Sequence, residues 1–156
     1  MTASNFFTGT STHRVDAKGR VSLPADFRRV LDKFGSSNVI VLPKMHHQEA
    51  HLGLSEAGYE KIVAQVDAMK LSTADAMALR FRVMAGAHQI PVDDAGRIVL
   101  SKDLRDQIGI ESEARFVGLG STFQIWEPRR CGGFVDTTAE RVEELLDQID
   151  FGGLHG

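Results

Sequence analysis

The sequence predicts an α+β fold built from two pseudo-symmetric halves. Three observations predict it. One unit is written twice, each copy passes from strand through tight turn and strand into a short helix, and further helical sequence follows each copy. The unit runs from Val15 to Arg28 and again from Val92 to Arg105, and without a gap Val, Asp, Gly, Arg, Leu, Asp and Arg fall at matching places. Val21 with Ile98 and Phe27 with Leu104 are apolar exchanges. Two copies of one supersecondary unit account for such a repeat. Neither copy can bury its apolar faces alone, and pairing them about a pseudo-twofold axis buries both.

In chain order, Thr8 to Val15 is Thr-rich and extended, and Arg20-Val21-Ser22-Leu23 alternates polar and apolar. Between them Asp16-Ala17-Lys18-Gly19 supplies an Asx residue and a glycine able to take positive φ, which is the chemistry of a tight reversal. Pro24 sits where a first helical turn tolerates it. Phe27, Val30, Leu31 and Phe34 then mark one face of a short helix that Gly35 ends. Val39 to Leu42 reads as a buried strand closed by Pro43. An apolar stripe of Tyr59, Ile62, Val63, Val66 and Met69 follows Ser55, and the box Ser72-Thr73-Ala74-Asp75 opens a second linking helix through about Met84.

The second copy repeats the order. Ala87 to Val92 leads into Asp93-Asp94-Ala95-Gly96, and Arg97 to Leu100 leads out. A helix carrying Leu104 and Ile108 stops at Gly109, and a hairpin joins Arg115–Val117 to Phe123–Trp126 around Gly118-Leu119-Gly120-Ser121. A third box, Thr137-Thr138-Ala139-Glu140, precedes Val142, Leu145, Leu146 and Ile149. The implied organisation is a first repeat over 7–55, linking helices over 56–84, a second repeat over 85–127, a C-terminal helix over 128–150 and a flexible tail over 151–156.

Composition narrows the function. The chain of 156 residues is 42% hydrophobic, enough for a core, and its net charge of -3 argues against coating nucleic acid by bulk positive charge. The charge is nevertheless polarised. From His13 to Lys33, Arg14, Lys18, Arg20, Arg28, Arg29 and Lys33 face only Asp16, Asp26 and Asp32, whereas from Phe134 onward Arg141 alone faces six acidic residues. Cys131 is a lone cysteine, which excludes a disulfide framework and a cysteine-based zinc site. With neither a leader pattern at the N-terminus nor an apolar run of about 18 residues, a cytoplasmic protein with no membrane partner is expected.

Arg20 and Arg97 each follow the glycine of a turn, and arginine's planar fork of donors suits phosphate and the edge of guanine. Asp16 and Asp93 are placed to accept the turns' own N–H groups, so they and Gly19 and Gly96 are assigned to turn structure. The plainer alternative is that each Asp–Arg pair is only a cross-turn ion pair, worth little at a surface. Other sites compare poorly. His46, His47 and His51 suggest a metal, but only Glu49 adds an obvious ligand, so no metal is assigned. Gly118-Leu119-Gly120 lacks the third glycine of a dinucleotide site. No Ser, His and Asp set has reason to converge, and Cys131 beside Arg129 and Arg130 fits an inert thiol better than a nucleophile. No cofactor, small-molecule substrate or enzymatic activity is expected.

Phe7-x-Gly9, the segment Asp16 to Pro24, Arg82-x3-Gly86, Asp93 to Arg97 and the late Trp126 resemble in type and order the MraZ family of bacterial transcriptional regulators, whose chains hold two AbrB-like halves. The resemblance extends to about Asp147 and rests on the paired Asp-x-x-Gly-Arg units. It implies a swapped-hairpin fold whose halves form one β-barrel-like core with flanking helices. It also implies a ring-like homo-oligomer, nucleoid association, and binding of double-stranded DNA at repeated boxes upstream of the division and cell-wall gene cluster. Carried over by position, the DNA contacts are Arg20 and Arg97, with Lys18 and Arg14 beside the first.

The copies differ in charge. Asp16, Lys18 and Arg20 leave the first turn with one net positive charge, whereas Asp93, Asp94 and Arg97 leave the second with one net negative charge. The first turn is therefore expected to be the stronger DNA contact and the second to serve mainly the fold. One arginine–guanine contact supplies ~1–3 kcal/mol of discrimination, so a specific site needs several subunits acting together. The stripe Val142, Leu145, Leu146 and Ile149 is one candidate subunit contact; packing on its own domain is the other reading. The rival function is a self-assembling scaffold or protein-binding module without DNA contact.

Overall fold

The computed structural model describes residues 5–45 and 48–153; His46, His47 and residues 154–156 of the expected tail lie outside them. The first half holds β1 (Thr10–Arg14), β2 (Arg20–Ser22), α1 (Ala25–Lys33), β3 (Asn38–Leu42) and β4 (Ala50–Leu54). Helices α2 (Glu56–Ala68) and α3 (Thr73–Arg80) follow, and α3 runs into a π-helical turn, Phe81–Ala85. The second half holds β5 (His88–Pro91), β6 (Arg97–Val99), α4 (Lys102–Gln107), β7 (Glu113–Gly118) and β8 (Phe123–Trp126), followed by α5 (Pro128–Leu146).

Six antiparallel strands form a sheet in the order β1-β7-β8-β4-β3-β5, and β2 pairs with β6 in a separate ribbon. Exchanging every strand for its counterpart in the other copy reverses the order, so a pseudo-twofold axis passes between β8 and β4. The halves interlock: β1 pairs with β7 of the second half, and β5 pairs with β3 of the first. The mixed α+β class matches the expectation, but the described sheet is open rather than a closed barrel. Its edges are β1 and β5, because β2 and β6 pair only with each other.

Period-two alternation assigns the two faces of the sheet. Val39, Val41, Phe116, Phe123 and Ile125 turn to one side, where they pack with Val21 and Ile98 of the ribbon and with Phe27 and Leu104 of α1 and α4. Phe7 meets Phe27 and Phe123 there, with ring centroids 5.2 and 5.0 Å apart. Ile40, Leu42 and Leu54 turn to the other side under Tyr59 and Ile62 of α2. Ala50 and Trp126 share that second side with Cys131 of α5. The ribbon and the long helices therefore occupy opposite faces.

Both short helices stop alike. Gly35 and Gly109 take φ of +66° and +73°, and the next residue donates back five positions, Ser36 to Leu31 and Ile110 to Arg105. Phe34, expected on the buried face of α1, is its C-cap residue and stays exposed because the chain is already turning at Gly35. Ser55 and Ser72 cap α2 and α3 through the N–H groups of Gly58 and Asp75. The third box does not start a helix. The Glu127 carboxylate accepts from the N–H groups of Arg129 and Arg130, Pro128 follows it, and α5 runs through Thr137 without interruption. There the Thr137 and Thr138 hydroxyls donate to the Phe134 carbonyl, the usual behaviour of such side chains inside a helix. Among the described residues no helix is long and apolar enough to cross a membrane.

Candidate functional site

The two turns close with the same bonds. In the first, one Asp16 oxygen accepts from the backbone N–H groups of Lys18 and Arg20, both at 2.9 Å, and the other accepts from Arg20 Nε at 2.6 Å. In the second, Asp93 accepts from the N–H groups of Ala95 and Arg97 at 3.0 and 2.8 Å and from Arg97 Nε at 3.0 Å. Gly19 and Gly96 stand at φ +86° and +78°, where L side chains strain. Their carbonyls accept from the other half, Gly19 from Leu100 at 2.8 Å and Gly96 from Leu23 at 3.0 Å. Each turn is thus fixed to the strand leaving its twin.

Asp16 is half-buried and Asp93 exposed, and both are held below their ordinary carboxylate value of 3.8. In each the largest cause is the backbone N–H of the turn's arginine, with the guanidinium adding to it. They remain ionised at neutral pH and keep the arginines oriented.

Register places the arginines together. In the ribbon Arg20 lies opposite Val99, Val21 opposite Ile98, and Ser22 opposite Arg97. Val21 and Ile98 point into the core, so Arg20, Ser22, Arg97 and Val99 form one outward face. The arginines sit on its diagonal, a separation of about 7–8 Å. Each commits only Nε to its aspartate, and among the described residues neither terminal guanidinium nitrogen has a hydrogen-bond partner. Lys18 is exposed at the tip of the first turn, and Arg14 is exposed at the end of β1, opposite Glu113. Arg14 therefore belongs to the sheet edge next to the ribbon rather than to the ribbon itself.

Sequence reasoning missed Ser22 and Val99 as members of this face, although the alternation around Arg20 and Arg97 carried the signal. It also missed Arg28 and Arg105. Each reaches the turn of the other half: a Cβ on Gly96 would lie 2.2 Å from Arg28 Nη1, and one on Gly19 would lie 3.2 Å from Arg105 Nε. Arg105 Nε donates to the Leu100 carbonyl at 3.0 Å, whereas the buried Nε of Arg28 has no acceptor among the described residues.

The remaining candidates take structural positions. His51 is fully buried on β4, where Nε2 bonds the Leu104 carbonyl at 2.7 Å and Nδ1 accepts from the Lys44 N–H at 3.3 Å. Burial lowers its pKa, opposed by the Leu104 bond, so it is a neutral tie between the halves. Glu49 pairs with Arg130 at 3.6 Å. Cys131 is buried beside Ala50 and Trp126.

The family model described as "MraZ protein, putative antitoxin-like" matches residues 6–82 and again 83–145. The proteins named transcriptional regulator MraZ from Xanthobacter autotrophicus and Beijerinckia indica are 35% and 34% identical to the chain. The alignments cover 92% of this chain in both cases, and 90% and 87% of the two relatives. That from Ruegeria pomeroyi is 32% identical, over 92% of this chain and 88% of its own. The two matched segments meet inside the π turn, so each contains one copy of the internal repeat. The chain belongs to the MraZ family.

Proposed function

We propose that the chain is a sequence-specific, DNA-binding transcriptional regulator that presents the β2–β6 ribbon to double-stranded DNA. One observation carries the reading: Arg20 and Arg97 lie on the same outward face of a two-stranded ribbon, oriented through Nε, with their terminal nitrogens uncommitted among the described residues. A two-stranded ribbon is one of the elements the major groove admits, and the terminal fork of arginine matches guanine O6 and N7 or a phosphate. Lys18 and Arg14 flank the first arginine and supply phosphate contacts. The names of the relatives support a role in transcription.

A single ribbon is too little. Two arginine contacts at ~1–3 kcal/mol each fall short of a specific site at ~10⁻⁸ M or tighter. The reading therefore includes a ring-like homo-oligomer whose ribbons engage repeated boxes, with avidity multiplying affinity by ~10²–10⁴. The boxes are those upstream of the division and cell-wall gene cluster, and the protein is nucleoid-associated. The swapped, interlocked halves act as one unit, because β1 and β5 each complete the sheet of the other half.

The test is a gel shift on the DNA upstream of the chain's own gene. Wild type shifts it, and Arg20→Ala, with fold and assembly size intact, loses at least about tenfold in affinity. No shift by wild type, with the assembly intact, favours the scaffold reading.

A further inference from the structure

We infer that Val99 is a specificity-determining residue of the ribbon, which reads the methyl group of a thymine in the base pair next to the one that Arg20 addresses. This rests on the DNA reading proposed above and deepens it from contact to sequence. Arg20, Ser22 and Arg97 are polar members of the ribbon's outward face. Val99 is its apolar member, and it stands 52% exposed. The repeat shows that the fold does not require valine there. Ser22 holds the equivalent place in the first copy and is exposed as well. The inward positions beside them, Val21 with Ile98 and Leu23 with Leu100, stay apolar and buried in both copies.

Register decides what Val99 accompanies. It lies directly opposite Arg20, whereas Ser22 lies opposite Arg97. The Leu100 N–H donates to the Gly19 carbonyl one position along, so Arg20 and Val99 form a non-hydrogen-bonded pair, the kind whose side chains stand closest. Cβ atoms of such neighbours are about 4.5–5.5 Å apart and stacked base pairs about 3.4 Å, so the two side chains reach adjoining base pairs. The terminal nitrogens of Arg20, uncommitted among the described residues, match guanine O6 and N7. The apolar complement that the major groove offers a branched side chain beside them is the thymine 5-methyl. Charge selects DNA over an apolar protein face as the occupant, because Arg20 and Lys18 border Val99 and call for an anionic partner. Ser22 differs, since a hydroxyl donates or accepts and discriminates little. At its Arg20 end the ribbon therefore selects a guanine with a neighbouring thymine, and at its Arg97 end it leaves the neighbour open.

The test uses the DNA upstream of the chain's own gene, synthesised once with thymidine and once with deoxyuridine throughout. Deoxyuridine removes the 5-methyl and keeps the pairing and the O4 acceptor. Fluorescence anisotropy gives each full-length protein's affinity ratio for the two DNAs. Wild type prefers thymidine DNA by about fourfold for each methyl it covers. Val99→Ser, which places in the second copy what the first already carries, lowers the ratio by that factor. Ser22→Ala keeps the wild-type ratio. Effects of the methyls on DNA shape act on all the proteins alike and cancel between them. Val99→Thr keeps the branch and one methyl, so it gives an intermediate ratio and serves as the check should Val99→Ser disturb the ribbon. A ratio of one in wild type, a wild-type ratio in the Val99 variants, or a lowered ratio in Ser22→Ala overturns the inference. Wild type that binds neither DNA would instead overturn the DNA reading itself.

Discussion

The first turn and the second turn share a skeleton and differ in everything attached to it. Both are closed by an aspartate that accepts two backbone N–H groups and one arginine Nε, and both hold a glycine at positive φ. Around the first stand Lys18 and, beneath it, Arg105 bonded to Leu100; around the second stand Asp94 and Arg28, whose Nε is unpaired among the described residues. Their helices differ too. Ser101 caps α4 through the Leu104 N–H, while Pro24 precedes α1 without a side-chain bond. Repetition preserved what closes the turn and let the surroundings diverge. A ribbon on which Arg20 and Arg97 are geometrically alike therefore presents two electrostatically different ends.

The largest contrast is expected at the glycines. A Cβ on Gly19 would lie 2.1 Å from the Leu100 carbonyl oxygen, which is backbone and cannot retreat; on Gly96 it would meet the Arg28 side chain, which can. Thermal unfolding should show Gly19→Ala losing about 3 kcal/mol or more and Gly96→Ala about 1–2 kcal/mol. Equal losses would mean that the turns are supported alike. Next is the cap: Ser101→Ala should cost about 1 kcal/mol, and Pro24→Ala should lose no such bond.

His51 gives the first half a pH dependence. Its lowered pKa means the unfolded chain binds the proton more readily, so its contribution is complete above 6.5 and declines as pH falls below that value. Melting temperature should fall over that range in wild type, and less so in His51→Leu. The turn aspartates act lower: stability from Asp16 and Asp93 is present above the ordinary 3.8 and is lost as pH falls through their depressed folded values. Carboxyl NMR titrations should place both below 3.8. The smallest effect is expected from Asp94→Asn, which neutralises the second turn and should raise DNA affinity a few-fold.

Much of this arrangement was legible in the residues. The Asp-x-x-Gly-Arg units, the glycine stops and the caps at Ser55 and Ser72 are local chemistry, fixed by groups within a few positions of each other. The exchange of β1 and β5 was expected only through the family resemblance and its swapped hairpins; the residues alone do not show it, because strand pairing depends on partners about a hundred residues apart for β1 and β7, and alternation does not say which edge a strand joins. The ribbon escaped for the same reason, and with it Ser22 and Val99. The box at Thr137 misled because its Ser/Thr-x-x-Glu spacing is the same inside a helix as at its start; Glu127 and Pro128 already supplied the start. The residues gave too few ligands to assign His51 to a metal, but its structural role emerged only with Leu104 and Lys44 against its two nitrogens.

The central claim is that one face carries two unequal DNA contacts. Fluorescence anisotropy on a duplex with repeated boxes, titrated across salt concentrations, tests it with wild type, Arg20→Ala and Arg97→Ala. Log affinity should fall linearly with log salt, at about 0.9 per phosphate neutralised. Arg20→Ala should lose more affinity than Arg97→Ala, with both proteins keeping their fold and assembly size. Binding by Arg20→Ala equal to that of wild type, or a greater loss in Arg97→Ala, would contradict the account.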